Sequence, residues 1–312
     1  MNRFFVNLKR FDVPRAKGGV CPVDNPYEWV ESVITAAATM QITDPKEMEI
    51  VFCIPEGLIG AAIGALAKTD DSAGYQTAIG CQGVHWLDIN KGENFGAFST
   101  FLPAKAAVNL GCSWSMVGHS EERRAKLQLL SRFNPAVESD SELNKEALRT
   151  VDRVISEEVS CAAANGLNIL FCVGETETQK GSGSESEQQE RTRNVLNEQI
   201  SDGINAFKDM ESRPELVIGY EPIWAIGPGK TPPGPDYISF VSEFIKDTCR
   251  DDHGIEPDVV YGGGLKEENA AAIAGVKSID GGLIALTRFT GEIGYYPEDF
   301  KKIVSTYLNS AV

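Results

Sequence analysis

Leu216-Val217-Ile218-Gly219-Tyr220-Glu221-Pro222-Ile223-Trp224-Ala225-Ile226-Gly227-Pro228-Gly229-Lys230 passes through three structural states in one stretch. Leu216 to Tyr220 is an unbroken apolar run, short enough for a strand buried on both faces. Glu221 closes that run with a carboxylate. Pro222 and the glycines Gly227 and Gly229 then bracket a greasy centre, Ile223 to Ile226, and from Pro235 to Arg250 apolar residues return at helical spacing. One strand, one loop and one helix follow each other, with the polar residue at the carboxyl end of the strand.

The same unit recurs in both directions. Strands are expected at Phe4–Asn7, Ile50–Ile54, Thr77–Gln82, Trp114–Gly118, Asn168–Val173, Leu216–Tyr220, Val259–Gly262 and Leu283–Leu286. Helical patterns between them include Pro26–Met40, Ala147–Asn165, Gln188–Phe207, Pro235–Arg250 and Pro297–Leu308. Roughly eight strand–helix repeats with no second compositional block predict an α/β chain closed into a (β/α)8 barrel, one domain over residues 1–312. A doubly wound open sheet is the alternative, weakened because no GxGxxG follows the first strand. Three stretches are expected to be excursions. Leu127–Ser141 interrupts the passage from the fourth strand to its helix, Gln179–Gln189 is a low-complexity, mobile surface loop, and Asn90–Asn94 lengthens the connection after the third strand.

Composition bounds the partners. Hydrophobic residues are 42 % and charged residues 24 %, enough apolar material for a packed core and too much for a disordered chain. The net charge of −16 excludes a basic nucleic-acid or membrane surface, and it obliges any phosphate site to be local, built from backbone N–H groups and one or two cations. The seven cysteines form no CxxC pair and several lie in apolar runs, which fits free thiols in a reducing, cytoplasmic compartment. No segment approaches the ~20 apolar residues of a membrane helix, and the N-terminus lacks the apolar stretch of a signal peptide.

Polar residues that end barrel strands are the candidates for chemistry, because barrel active sites collect at the carboxyl ends. Glu221 would be partly desolvated there, which disfavours its charged form and suits a general base; the plainer reading is an exposed loop glutamate. The residues behind it read as a lid able to close as a unit and exclude water. His119 ends the fourth strand just before Ser120-Glu121, a helix start whose field disfavours imidazolium, so that a neutral ring could donate a hydrogen bond; a structural histidine is the alternative. Lys9, after Asn7 on the first strand, could bind phosphate and offset a developing oxyanion, or be solvated surface. Tyr261-Gly262-Gly263-Gly264 could turn N–H groups onto an anion, or form only a tight turn.

Together these segments resemble one family. Gly-His-Ser-Glu at 118–121, Cys172-Val173-Gly174-Glu175, Tyr-Glu-Pro-Ile-Trp-Ala-Ile-Gly at 220–227 and Tyr-Gly-Gly at 261–263 stand in the order found in the triosephosphate isomerases, and the likeness runs from Asn7 to the last helix. The resemblance implies a TIM barrel and an aldose–ketose isomerase needing no metal and no cofactor. The pairing of a glutamate base with an uncharged imidazole is established for that family and comes from the resemblance. In these terms Glu221 moves a proton between neighbouring carbons, His119 polarises the two oxygens, Lys9 offsets enediolate charge, and Glu121 orients the lysine. Asn7, Lys9, Gly227, Gly263, Gly264, Ala285 and Leu286 would bind substrate. The implied partners are a small phosphorylated sugar and a second copy of the chain in a homodimer, with no nucleic acid and no membrane.

Departures concern substrate and assembly. The family's serine after Tyr-Gly-Gly is Gly264 here, and its Gly-Gly after the eighth strand is replaced by Ala285-Leu286-Thr287-Arg288-Phe289. Arg288 either supplies a compensating cation or lies on the surface, the latter being the preferred reading. That segment, with His85-Trp86, resembles the branch acting on four-carbon ketose phosphates. The dimer-forming loop reads Gly96-Ala97-Phe98-Ser99-Thr100-Phe101, and an extra Glu122 precedes Arg123 and Arg124, where a shift of one helical turn is expected. Three readings therefore stand: a triose-phosphate isomerase, a tetrulose-phosphate isomerase by the same mechanism, and a barrel without catalysis. The last is hard to reconcile with Lys9, His119, Glu121 and Glu221 all being present.

Overall fold

The computed structural model describes residues 1–311 except 43–47, 70–72, 206, 208, 209, 211, 212 and 228. Eight parallel strands close in the order β1-β2-β3-β4-β5-β6-β7-β8. They are β1 Asn2–Asn7, β2 Met48–Ile54, β3 Gln76–Cys81, β4 Trp114–Val117, β5 Asn168–Val173, β6 Leu216–Tyr220, β7 Asp258–Tyr261 and β8 Gly281–Ile284. The seam is made by β1 against β8, with Val6 opposite Ile284. This is the expected (β/α)8 barrel.

Period-two alternation decides what each strand contributes to which side. Phe5, Val51, Cys53, Trp114, Met116, Leu170, Cys172, Val217, Val260 and Leu283 form a separate cluster that fills the lumen. Their neighbours Phe4, Val6, Ile50, Phe52, Ile169, Phe171 and Ile218 pack outward in a second cluster shared with the helices. Each such side chain, fully buried, contributes roughly 1.5–3 kcal/mol. Trp114 occupies the lumen only because β3 carries Gly80, where a Cβ would stand 2.9 Å from the Trp114 Cβ.

The same parity, extended two residues past Phe5 and four past Val217, brings Asn7 and Glu221 to the carboxyl rim. Run backwards it brings Arg3 to the amino rim. There the buried Arg3 guanidinium donates to Glu49 (3.1 Å), Asp258 (2.8 Å) and Glu215. Burial pushes the Glu49 carboxyl up, and the Arg3 charge and the Trp114 N–H oppose it.

The helices are α1 Pro26–Ala38, α2 Ile59–Leu66, α3 Ala104–Asn109, α4 Ser120–Phe133, α5 Ser141–Ala164, α6 Glu177–Lys180, α7 Glu185–Gly203, α8 Pro235–His253, α9 Glu267–Ala274 and α10 Pro297–Ser310. α8 shows why they form. Pro235 at the first position leaves no N–H to satisfy, Ile238, Val241, Ser242, Ile245 and Cys249 make one buried stripe, and Gly254 ends the helix in the left-handed region at φ 62°. Among the described residues, no helix is long and apolar enough to cross a membrane.

Two expected excursions are largely helical. Leu127–Ser141 does not interrupt the chain at Leu127: α4 runs through to Phe133 and only a short 3-10 turn, Pro135–Glu138, separates it from α5. Its apolar residues hid it by falling on the outside, with Leu129 and Phe133 exposed. Gln179–Gln189 is not a loop throughout, because Ser184 and Glu187 form a reciprocal capping box that starts α7 at Glu185. The expected helix Gln188–Phe207 likewise begins earlier and ends at Gly203, with Ala206 outside the described residues. Asn90–Asn94 does extend the β3–α3 connection, where Asn94 donates to the Asp88 carbonyl (2.9 Å).

Candidate active site

A cavity of about 1760 Å3 opens at the carboxyl rim. Asn7, Lys9, His119, Glu121 and Glu221 line it, as do Gly227, Gly263, Gly264, Ala285 and Leu286, so the residues expected to catalyse or to bind substrate border one space.

His119 is the N-cap of α4, and its ring does what a capping serine would. Nδ1 accepts the Glu121 N–H at 3.3 Å, so the proton of the uncharged ring lies on Nε2. Nε2 is 3.2 Å from Glu221 Oε1 and 3.4 Å from Asn7 Nδ2. Asn7 is held in that orientation because its Oδ1 accepts from the Lys9 N–H (2.9 Å) and from Gln82 (3.0 Å). The two N–H groups, one from the ring and one from the amide, converge where a carbonyl oxygen could accept from both.

Glu221 is 4 % exposed, directly after β6. Its carboxylate accepts the Ser120 N–H (2.9 Å) on one oxygen and the Ser120 hydroxyl (3.1 Å) on the other, at the positive end of α4. Two glycines make room: a Cβ on Gly174 would stand 1.8 Å from the Glu221 carbonyl oxygen, and one on Gly262 would press on Glu221 Cγ at 3.1 Å.

Lys9 has φ 28°, uncommon for a residue with a side chain. Its ammonium meets Glu121 at 2.7 Å. Half-burial works against the Glu121 charge, but the hydrogen bond and charge of Lys9 outweigh it and hold that carboxyl below the usual carboxylate range. Glu122 leaves the start of α4 in place. It folds back to accept the Gly118 N–H (2.7 Å) and pairs with Lys126, which also holds the buried Glu158 (2.9 Å).

The segment behind Glu221 is anchored at both ends. Trp224 donates to the fully buried Glu175 at 2.7 Å, and Tyr220 and Tyr237 donate to the same carboxylate (3.1 and 3.0 Å). Burial pushes the Glu175 carboxyl up and these bonds offset part of the rise. The Lys180 ammonium lies 3.2 Å over the Trp224 ring. At the far end Lys230 pairs with Glu177 (2.8 Å), and Gly227 and Gly229 take φ of 122° and 77°. Of this stretch, Pro228 lies outside the described residues.

At the β7 turn the carbonyls have partners of their own. Tyr261 donates to the Gly263 carbonyl (3.0 Å) and Asn269 to that of Gly264 (3.0 Å). The N–H groups of Gly263, Gly264, Ala285 and Leu286 bond to no described residue, whereas those of Thr287 and Arg288 both end on the Gly294 carbonyl (3.0 and 3.1 Å). Arg288 does not face the cavity: it pairs with Asp299 (2.5 Å) and Glu298 (3.2 Å) and stacks on Tyr296. His85 and Trp86 are also outside it, in an aromatic group where His85 stacks on Phe101 at 4.4 Å.

Ser120, Gln82 and Gly174 were given no part in the site from the sequence, and Gly262 was read only as part of an anion-binding turn and not as clearance for Glu221. Gln82 carries the signal that Glu221 does, a polar residue closing a strand, and it donates to Asn7, to the Lys9 carbonyl (2.9 Å) and to the Cys53 carbonyl (3.3 Å). Glu175 was noticed only as part of a motif, with no role attached.

Comparison with known proteins follows the geometry. A sequence model of the family described as triosephosphate isomerase matches residues 27–306. The chain is 30 % identical over 263 residues to a triosephosphate isomerase of Lactobacillus delbrueckii subsp. bulgaricus, covering 83 % of this chain and 87 % of that protein. It is 31 % identical over 219 residues to that of Chloroherpeton thalassium, covering 69 % and 72 %. Against the Alkaliphilus metalliredigens enzyme of the same name the figures are 28 % over 260 residues, covering 80 % and 88 %.

Proposed function

The chain belongs to the triosephosphate isomerase family, and from that premise we propose that it interconverts dihydroxyacetone phosphate and D-glyceraldehyde 3-phosphate through an enediolate. The observation that carries the reading is the meeting of Glu221, His119 and Asn7 over one hollow, with Lys9 on its rim.

Glu221 takes a proton from the carbon beside the carbonyl and returns it to the neighbouring carbon, so the substrate leaves with the atoms it brought. For this the carboxylate exchanges its Ser120 bonds for the substrate C–H, which the lid drives by closing over it. His119 Nε2–H and Asn7 Nδ2–H donate to the oxygen on which charge develops, and the ring then relays a proton between the two oxygens. Donors held in place before reaction stabilise that charge without reorganisation, and a positioned base contributes about 10^2- to 10^4-fold. Lys9 opposes the enediolate charge, and Glu121 fixes the ammonium. The lid, Pro222 to Lys230, excludes water and suppresses loss of phosphate from the intermediate. The N–H groups of Gly263, Gly264, Ala285 and Leu286, with Gly227 of the lid, receive the phosphate. A homodimer of the family type belongs to the same proposal, supported by the exposed Leu87, Phe95 and Phe101 on the β3–α3 connection.

The test is a coupled assay with either triose phosphate, run in heavy water. Turnover with solvent deuterium entering the carbon-bound position is expected, and Glu221→Asp should lower kcat at least 10^2-fold, a magnitude of the kind expected for a displaced base, with folding intact. A folded protein that turns over neither triose phosphate removes the proposal.

A second reading, a four-carbon ketose phosphate as substrate, is favoured by the loop after β8, where Leu286, Phe289 and Ile293 bring apolar side chains to the cavity. A higher specificity constant for the tetrulose phosphate would decide for it.

A further inference from the structure

The proposed phosphate end of the cavity lies in a chain of net charge −16, so the cations near it need an account of their own. Several that border the cavity are already neutralised. Lys9 is on Glu121 (2.7 Å), Lys230 on Glu177 (2.8 Å), Lys145 on Glu142 (3.1 Å), and Arg123 on Asp152. The connections after β7 and β8 themselves carry two cations, Lys266 and Arg288, and Arg288 is spent on Asp299 and Glu298.

Lys266 differs from all of these. It borders the cavity two residues after Gly264, and it forms no ion pair with any described residue. Its ammonium lies 4.7 Å from the centre of the Phe289 ring, which also borders the cavity and is 46 % exposed. A ring face positions a cation without cancelling its charge. The root of the side chain is fixed as well: the Lys266 N–H donates to Asn269 Oδ1 (2.7 Å), and Asn269 Nδ2 donates to the Gly264 carbonyl (3.0 Å). The turn bearing the free N–H groups and the lysine therefore moves as one piece.

We propose that Lys266, resting on Phe289, is the side chain that holds the phosphate dianion of the substrate by charge, in concert with the N–H groups of Gly263 and Gly264. The proposal rests on the isomerase reading above and adds to it a residue that sets the preference for phosphorylated substrates. The Arg288 guanidinium beyond β8 is committed to Asp299 and Glu298, so the charge comes from the β7 side.

The experiment compares the native chain with Lys266→Gln and Lys266→Arg, using glyceraldehyde 3-phosphate and unphosphorylated glyceraldehyde. Charge-assisted grip predicts that the ratio of the two specificity constants falls about tenfold in Lys266→Gln, the ~1.4 kcal/mol of one such contact, mainly through KM for the phosphorylated sugar. Lys266→Arg should recover most of it. A structural lysine would lower both constants together, and an unchanged ratio overturns the proposal. If the native protein turns over neither sugar, the isomerase reading fails by itself. Calorimetric titration with inorganic phosphate then decides for Lys266: weaker binding by Lys266→Gln supports it, and equal binding overturns it.

Discussion

The carboxylate of Glu221 accepts two hydrogen bonds from one residue, the N–H (2.9 Å) and the hydroxyl (3.1 Å) of Ser120. Ser120 is the first residue of α4, and His119 before it has φ −52° and ψ 145°. That is the backbone a residue preceding proline adopts, and proline is well tolerated at a first helical position. Ser120→Pro is therefore expected to fold while removing both donors, and kcat should fall on the order of 10^2-fold, as for a displaced base. Ser120→Ala keeps the N–H and should cost less than about tenfold. Equal effects of the two variants in steady-state assays would contradict this division.

Gly262→Ala places a Cβ 3.1 Å from Glu221 Cγ and from the Tyr220 carbonyl oxygen. Overpacking at such a contact costs about 1–3 kcal/mol, and here the side chain that yields is the proposed base. We expect kcat to fall roughly tenfold or more, the sensitivity of a misplaced catalytic group, with far-ultraviolet circular dichroism unchanged. An active variant would show that the carboxylate does not need that clearance.

Trp224→Phe keeps an aromatic ring, though a smaller one, and deletes the N–H that Glu175 accepts at 2.7 Å. A hydrogen bond to a charged group is worth about 1.5–3 kcal/mol, enough to loosen the proximal end of the lid. Inorganic phosphate released per turnover should rise and kcat/KM should fall several-fold. Unchanged phosphate release would mean that the lid closes without this anchor.

Glu158 sits buried against Glu122 and Lys126. Burial first, and then the Glu122 charge, push its carboxyl up to about 9. The folded state therefore holds a proton that the unfolded chain gives up near its ordinary value of 4.5, and by linkage this group destabilises the fold progressively as pH rises from the unfolded value to the folded one. Thermal unfolding of Glu158→Gln should be less sensitive to alkaline pH than that of the native chain. Parallel Tm–pH curves between about pH 5 and pH 9 would exclude this burial effect.

Much of this was readable before any coordinates. Asn7 and Glu221 could be found because each ends an apolar run at an inward parity, and the alternation that buries Phe5 and Val217 also aims them at the rim. His119 was visible through the helix start behind it. What escaped notice depended on distance in the chain. Glu175 and Trp224 are joined by a bond between two separate βα connections, and Gly174 and Gly262 matter only through what a side chain would strike. The sequence also misled where helix signals were masked, by the outward-facing Leu129 and Phe133 in α4 and by the Gly-Ser-rich lead into α7. Arg288 was weighed as a phosphate ligand because its partners, Glu298 and Asp299, lie on the next helix.

The guanidinium of Arg3 joins strands that are far apart in time as well as in sequence. Of its three carboxylate partners Glu49 follows it by 46 residues, whereas Glu215 and Asp258 follow by 212 and 255. At about 5–20 residues per second, the last two of these partners emerge on the order of ten to fifty seconds after the arginine. Asn7, on the same strand, reaches Glu221 only after that interval. A chain interrupted within that interval would thus hold its arginine on Glu49 alone, on an apolar strand with neither its far-side carboxylates nor Glu221 in place.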